Sequence, residues 1–199
     1  MGGFSDCQPD PAILARARGG DMKAHEALYA AYGTAVYTLA LRMLGEPAHA
    51  DEVLQDTCIE VIRHLATFRD DVAFAGWVKR IAVNKSLAML RSAWHRKARA
   101  FDGGEEDEPG IAEPAAEDDP AKRVGHATDL AQALDTLSPT ARVVIWLYDV
   151  EGYTHQEIAE LMNRTVSFSK SQLARAHERL RSALGDYEVT SCMPRQSSC

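Results

Sequence analysis

A chain of 199 residues allows one or two globular domains, and an apolar fraction of 46% supplies enough material for a packed core. No apolar run reaches the roughly 18 residues of a membrane span, and Met1-Gly-Gly-Phe-Ser-Asp-Cys7 lacks the basic-then-apolar order of a signal peptide, so membrane insertion is not expected and the chain reads as cytoplasmic. The net charge of −7 argues against a nucleic-acid partner only as a sum: nine acids and no base lie between Asp102 and Asp119, and outside that segment 22 basic residues face 20 acidic ones, a net of +2.

Residues 1–10 read as a disordered lead-in. A short helix follows through Ile13–Arg18 and stops at Gly19-Gly20. Asp21 is a fitting N-cap for a second helix with Leu28, Tyr32, Val36, Leu39 and Met43 at spacings of three and four, broken by Gly45-Glu-Pro47. The third helix carries Val53-Leu54, Cys58, Val61-Ile62 and Leu65 as its apolar stripe. Its opposite face shows Glu52, Gln55, Asp56, Ile59 and Arg63. Residues 67–73 read as a polar loop. A fourth helix opens near Phe74, carries Trp77, Ile81 and Leu87-Ala88, and ends in the basic run Arg91–Arg99.

Residues 101–120 hold three prolines, three glycines and the acidic run, the composition of a linker and not of a core. It reads as a solvated tether, or as a shield over a basic surface. Order returns near Asp129, with Leu130, Ala133-Leu134 and Leu137. Ser138-Pro139 starts the next helix, Val143–Tyr148, which Glu151-Gly152 ends. Thr154-His-Gln-Glu157 is a capping box. After Asn163–Val166 the last helix buries Leu173, Ala176, Leu180 and Leu184 and presents Lys170, Ser171, Gln172, Arg175 and Arg179 on its other face. No strand pattern is visible. The fold class is all-α: two small helical domains on an acidic linker.

Tyr153–Met162 followed by the basic Lys170–Arg179 has the form of a helix-turn-helix, whose second helix enters the major groove with its early residues at base edges. Arginine, serine and glutamine on one face suit phosphates and base edges; a plain helical hairpin with a solvated basic face has the same pattern. In the first block, Trp77 and Asn84 lie beside Lys79, Arg80, Lys85 and Arg91. A flat ring, an amide and positive charge suit unstacked single-stranded bases, although Trp77 also reads as a core aromatic. The four cysteines, Cys7, Cys58, Cys192 and Cys199, form no CxxC pair, so neither metal nor cofactor is expected. No Gly-rich phosphate loop or nucleophile with a positioned base is visible, so no catalytic residue is assigned. His155 and His177 read as exposed cap and phosphate-contact positions.

With these residues in hand, the chain resembles the extracytoplasmic-function sigma factors, the two-domain minimal class of sigma-70-type initiation factors. The resemblance covers roughly residues 20–95 and 128–184. It implies a lead-in (1–20), region two (21–99), an acidic linker (100–127), region four (128–184) and a tail (185–199). Asp51-Glu-Val-Leu-Gln-Asp-Thr57 is similar to the segment that binds the coiled coil of the polymerase beta-prime subunit, which implies contact through Asp51, Glu52, Gln55 and Asp56. Phe74–Asn84 is similar to the segment that melts and captures the minus-ten element, which implies Trp77, Arg80, Asn84 and Lys85 as DNA-binding residues. Leu137-Ser-Pro and Tyr153–Ala176 resemble region four, which reads the minus-thirty-five element and touches the beta-subunit flap; Phe168, Lys170, Ser171, Gln172, Arg175 and Arg179 are its DNA-binding positions here. The implied partners are core RNA polymerase, promoter DNA and an anti-sigma factor. The family's usual Gly-Thr-Val-Lys-Ser-Arg is replaced by Ser167-Phe-Ser-Lys-Ser-Gln172, so Phe168 either packs inward or touches a thymine methyl. The rival readings are a helix-turn-helix regulator, or an adaptor, that recruits no polymerase.

Overall fold

The computed structural model describes residue 4 and residues 9–69, 74–101 and 129–184, with side chains described outside 93–101 and 129–131. The expected loop tip 70–73, the acidic linker beyond Phe101, and the tail with Cys192 and Cys199 lie outside these residues, as does Cys7. The described elements are α1 (Pro11–Arg18), α2 (Met22–Leu44), α3 (Pro47–His64), α4 (Phe74–Phe101), α5 (Asp129–Asp135), α6 (Pro139–Ile145), a π-helical turn (Trp146–Val150), α7 (His155–Met162) and α8 (Val166–Leu184). Among the described residues there is no strand, and no helix is long and apolar enough to cross a membrane.

Local chemistry sets the boundaries. Asp10 accepts from the Ala12 amide at 2.8 Å and Pro11 takes the first helical position, so α1 opens ahead of Ile13. Asp21 caps α2 through the Lys23 amide at 2.9 Å and meets the Arg16 guanidinium at 2.6 Å; that bond to Arg16 holds its carboxyl below the usual aspartate range. Gly45 ends α2 in the left-handed conformation at φ 75°, donating to the Leu41 carbonyl at 2.8 Å.

The first block packs α2, α3 and α4 around Phe74, which is fully buried. Tyr32 meets it edge-on at 5.4 Å and Phe68 at 5.6 Å, and Phe68 stacks on Trp77 at 4.5 Å with planes 16° apart. Phe68, in the stretch read as a polar loop, is therefore half-buried against this core. Phe4, read as disordered lead-in, is 7% exposed and joins the same core. The bulk of its ring outweighs the polarity of its neighbours.

In the second block Ser138 caps α6 by accepting from the Ala141 amide at 3.2 Å. The expected single helix to Tyr148 changes gauge after Ile145. Glu151 donates its amide to Trp146 O at 3.1 Å, a π-type bond five residues back, and Gly152 at φ 76° completes the stop. Both halves of the Thr154–Glu157 capping box form, at 3.2 and 2.8 Å. Asn163, at φ 52°, supplies the left-handed turn into α8.

The two blocks share one continuous core, in which α6 packs on α2 and α7 touches α4. Two polar contacts pin the seam. The Arg142 guanidinium lies so close against Gly45 that a Cβ there would fall 1.9 Å from Nη1, and it reaches Asp135 at 3.5 Å. Lys79 Nζ lies 3.5 Å from the Glu151 carboxylate, donates to the Glu151 carbonyl at 3.2 Å, and sits 5.2 Å from the centre of the Tyr153 ring.

Candidate functional site

Three polar faces emerge, two in the first block and one in the second. On α3, Val53, Thr57, Val61 and Leu65 turn inward at four-residue spacing, which leaves Asp51, Glu52, Gln55 and Asp56 exposed together on the outer face. Three carboxylates and an amide on two turns form a negative, hydrogen-bonding patch. Ile62, expected in the apolar stripe, is 49% exposed, because the inward register belongs to Val61 and Leu65 and Ile62 lies about 100° further round.

On α4, Phe74, Val78, Ala82-Val83, Ser86-Leu87 and Leu90 are buried, and Arg80, Asn84, Ala88 and Arg91 are exposed in one stripe. The helix-interior Asn84 thus projects into solvent between two cations. Trp77 is half-buried, with one face on Phe68. Lys85 is half-buried and pairs with Glu60 at 3.4 Å. The first block therefore brings Arg80, Asn84 and Arg91 together and holds Lys85 and Trp77 closer to the protein.

The second block is different. Along α8, Val166, Ser167, Lys170, Ser171, Ala174 and Arg175 face outward near the helix start. Gln172, expected on that face, is 3% exposed. It lies three residues after Ser169 and four before Ala176, so helical spacing puts it on their inward line beside Leu173. Phe168 is half-buried against the core with the Arg164 guanidinium over its ring at 5.4 Å, so it packs inward. Ser169 is buried and shares a 3.0 Å hydrogen bond with His155, whose ring stacks on Tyr148 at 4.4 Å. His177 bonds Asp149 at 2.7 Å. Both histidines are thus half-buried and internally engaged, where exposed cap and phosphate-contact positions were expected. Arg179 is exposed yet donates to the Thr136 carbonyl at 3.2 Å, closing the end of α5. Leu180 and Leu184 are half-buried, while Leu173 and Ala176 are buried as expected.

Arg142, Glu151 and Tyr153 were not singled out as contact residues by sequence reasoning, and Lys79 only as nearby charge. Burial lowers the Arg142 pKa, opposed by Asp135, and burial raises that of the Tyr153 phenol. The legible signal was Arg142 itself, one charge inside the apolar run Pro139–Leu147.

Comparison with known proteins agrees with these two blocks. The family described as Sigma-70 region 2 matches residues 28–96, and Sigma-70, region 4 matches residues 127–180. The chain is 32% identical over 177 residues to the RNA polymerase sigma factor CarQ of Myxococcus xanthus, covering 88% of this chain and 98% of that one. It is 30% identical over 176 residues to the ECF RNA polymerase sigma factor SigM of Mycobacterium tuberculosis, covering 88% and 85%. In fold it is similar to the sigma factor RpoE of Bartonella quintana, solved in complex with the anti-sigma factor NepR: TM-score 0.52 at 20% identity, covering 82% of this chain and 98% of that one.

Proposed function

The chain belongs to the sigma-70 family, as an extracytoplasmic-function factor of transcription initiation, and on that premise we propose how its faces divide the work. The carboxylate–amide face of α3, Asp51, Glu52, Gln55 and Asp56, docks on the beta-prime coiled coil of core RNA polymerase. The Arg80–Asn84–Arg91 stripe of α4 holds the unstacked minus-ten strand, with Trp77 and Lys85 at its margin. Lys170, Ser171 and Arg175 meet the minus-thirty-five element, with Arg179 further along the helix on the phosphate side. Domain limits follow the same division: 21–99 for the first block and 128–184 for the second. The polymerase does the chemistry. The observation that carries the reading is the pair of separate exposed faces on α3 and α4, both resting on the Phe74 core.

The seam adds a condition. Elements named minus ten and minus thirty-five lie about 25 base pairs apart, or about 85 Å along duplex DNA. Lys79 and Glu151, one in each block, are 3.5 Å apart. Both elements can be held at once only after α6 leaves α2 and Lys79 leaves Glu151. The described arrangement is therefore the closed form, and polymerase docking supplies the opening. An anti-sigma factor that grips both blocks would hold this form.

Run-off transcription with purified core polymerase on a genomic fragment library tests the proposal. New starts that share paired upstream elements, and appear only with this protein, are expected. Core binding without new starts would leave an adaptor. Promoter binding without core would make the chain a regulator that recruits no polymerase.

A further inference from the structure

Beneath the α3 face, α2, α3 and α4 enclose a half-open cavity of about 80 Å³. Phe74, Val78, Val36 and Leu28 are buried residues of its apolar lining. Tyr29 and Ile62 also line it, and both stay about half exposed, at 55% and 49%.

Three features of this cavity are unfavourable in themselves. Gly33 sits in the interior of α2, where glycine is worth about 1 kcal/mol less than alanine. Packing does not require it: a Cβ there would meet only the Tyr29 ring, at 3.7 Å, an ordinary contact. What the glycine provides is open volume. Thr57 is 1% exposed, and its Oγ1 is buried without a hydrogen-bond partner, so the hydroxyl has lost water and gained nothing. In a helix threonine divides between two χ1 wells, and this hydroxyl breaks no bond by turning toward an occupant. Tyr29 and Ile62, finally, leave large apolar surfaces in water.

One kind of occupant uses the space left by the first and relieves the other two. An apolar body fills the space left by Gly33 and covers Tyr29 and Ile62, and a single polar atom bonds the Thr57 hydroxyl. Water serves poorly, because a held water needs two to four polar partners and the wall is almost wholly apolar. We propose that this cavity is a binding site for a small uncharged amphiphile, one ring or short chain bearing one hydroxyl or carbonyl. Cys58, half-buried in the cavity wall, is a built-in reporter; burial raises its thiol pKa, so it labels slowly. Since Thr57 and Cys58 directly follow Gln55 and Asp56, an occupant braces the helix that carries the proposed polymerase face. The site itself does not depend on that reading.

Phenol and toluene, similar in size and differing by the hydroxyl, are the probes, used on the full chain. Phenol is expected to raise the melting temperature and to slow alkylation of Cys58, followed by peptide mass spectrometry. Toluene is expected to bind about fivefold more weakly, the value of one neutral hydrogen bond. Thr57→Val should remove that preference while leaving toluene binding intact. Gly33→Leu should abolish protection by both probes; Gly33→Ala, whose methyl fits, keeps the comparison available if leucine disturbs folding. The proposal is overturned if neither probe protects Cys58 up to its solubility, if the melting temperature rises without protection, or if Thr57→Val binds phenol as well as the parent chain does.

Discussion

The two blocks use their polar residues in opposite ways. In the first, the core is apolar and aromatic, and Asp51, Gln55, Asp56, Arg80 and Asn84 stand exposed on helices that the core already fixes. In the second, many polar groups are part of the scaffold: His155 with Ser169, His177 with Asp149, Arg179 with the Thr136 carbonyl, Thr154 with Glu157, and Gln172 buried outright. The difference bears directly on the unusual Ser167–Gln172 segment. Its substitutions fall mainly where the helix meets its own block, at Phe168, Ser169 and Gln172, while Lys170 and Ser171 stay outside. The segment alters how α8 is seated more than what α8 presents to DNA.

The largest effect is expected where the first block is purely apolar. Phe74→Ala removes a fully buried ring that touches Tyr32, Phe68 and Trp77. It should cost about 3–5 kcal/mol in chemical denaturation, a large share of the stability of a small domain. A loss near 1 kcal/mol would mean that the seam, and not this ring, carries the block.

Next comes a pair that separates scaffold from reader within α8. Gln172→Ala should lower stability by about 1–3 kcal/mol and leave base preference unchanged. Lys170→Ala should keep stability within about 0.5 kcal/mol while the log–log salt slope of holoenzyme–promoter binding falls by about 0.9. A promoter selection in which Gln172→Ala changes the preferred minus-thirty-five bases would break the contrast between the blocks.

Much of this was legible in the sequence because local chemistry decided it. The Asp21 and Ser138 caps, the Thr154–Glu157 box and the Gly45 stop each follow from one or two side chains. The outer face of α3 was readable from helical spacing, whereas the inward register of α4 runs through Phe74, Val78, Val83, Leu87 and Leu90, leaving Trp77 and Ile81 half-buried and Ala88, read with the apolar residues, exposed. Gln172 and Ile62 were misplaced by about one residue's rotation, which pattern cannot resolve where a stripe drifts. Phe4 was hidden by polar neighbours. The seam was illegible because it joins residues far apart in the chain; Lys79 and Glu151, 72 positions apart, are ordinary charges until the fold brings them together.

That seam supplies a smaller effect. Glu151→Ala removes the carboxylate that meets Lys79 at 3.5 Å but leaves the carbonyl bond, so it should cost the closed form about 1 kcal/mol or less. The population should shift toward open, with a larger radius of gyration in small-angle scattering and core polymerase affinity rising up to about fivefold. Added salt should mimic the change in the parent chain and add little to the variant. Unchanged scattering for both would show that the apolar contact of α6 on α2 holds the blocks by itself.

The smallest effect concerns the capping box, and its sign can be fixed beforehand. The backbone bond from Thr154, and then the bond from its hydroxyl, hold the Glu157 carboxyl below the ordinary glutamate range. A carboxyl whose pKa is lower folded than unfolded contributes stability that is fully present above the ordinary range and is lost as pH falls through the folded value. Glu157→Gln keeps an acceptor for the Thr154 amide but cannot titrate. Its melting temperature should therefore lie slightly below that of the parent chain at neutral pH, and the two curves should converge as the solution is acidified past the ordinary glutamate range. Asp21, held low by Arg16, titrates in both chains and cancels in the difference. Curves that stay parallel down to the acid limit would mean that the cap works through geometry alone, leaving buried contacts such as Ser169 with His155 as the polar support of the second block.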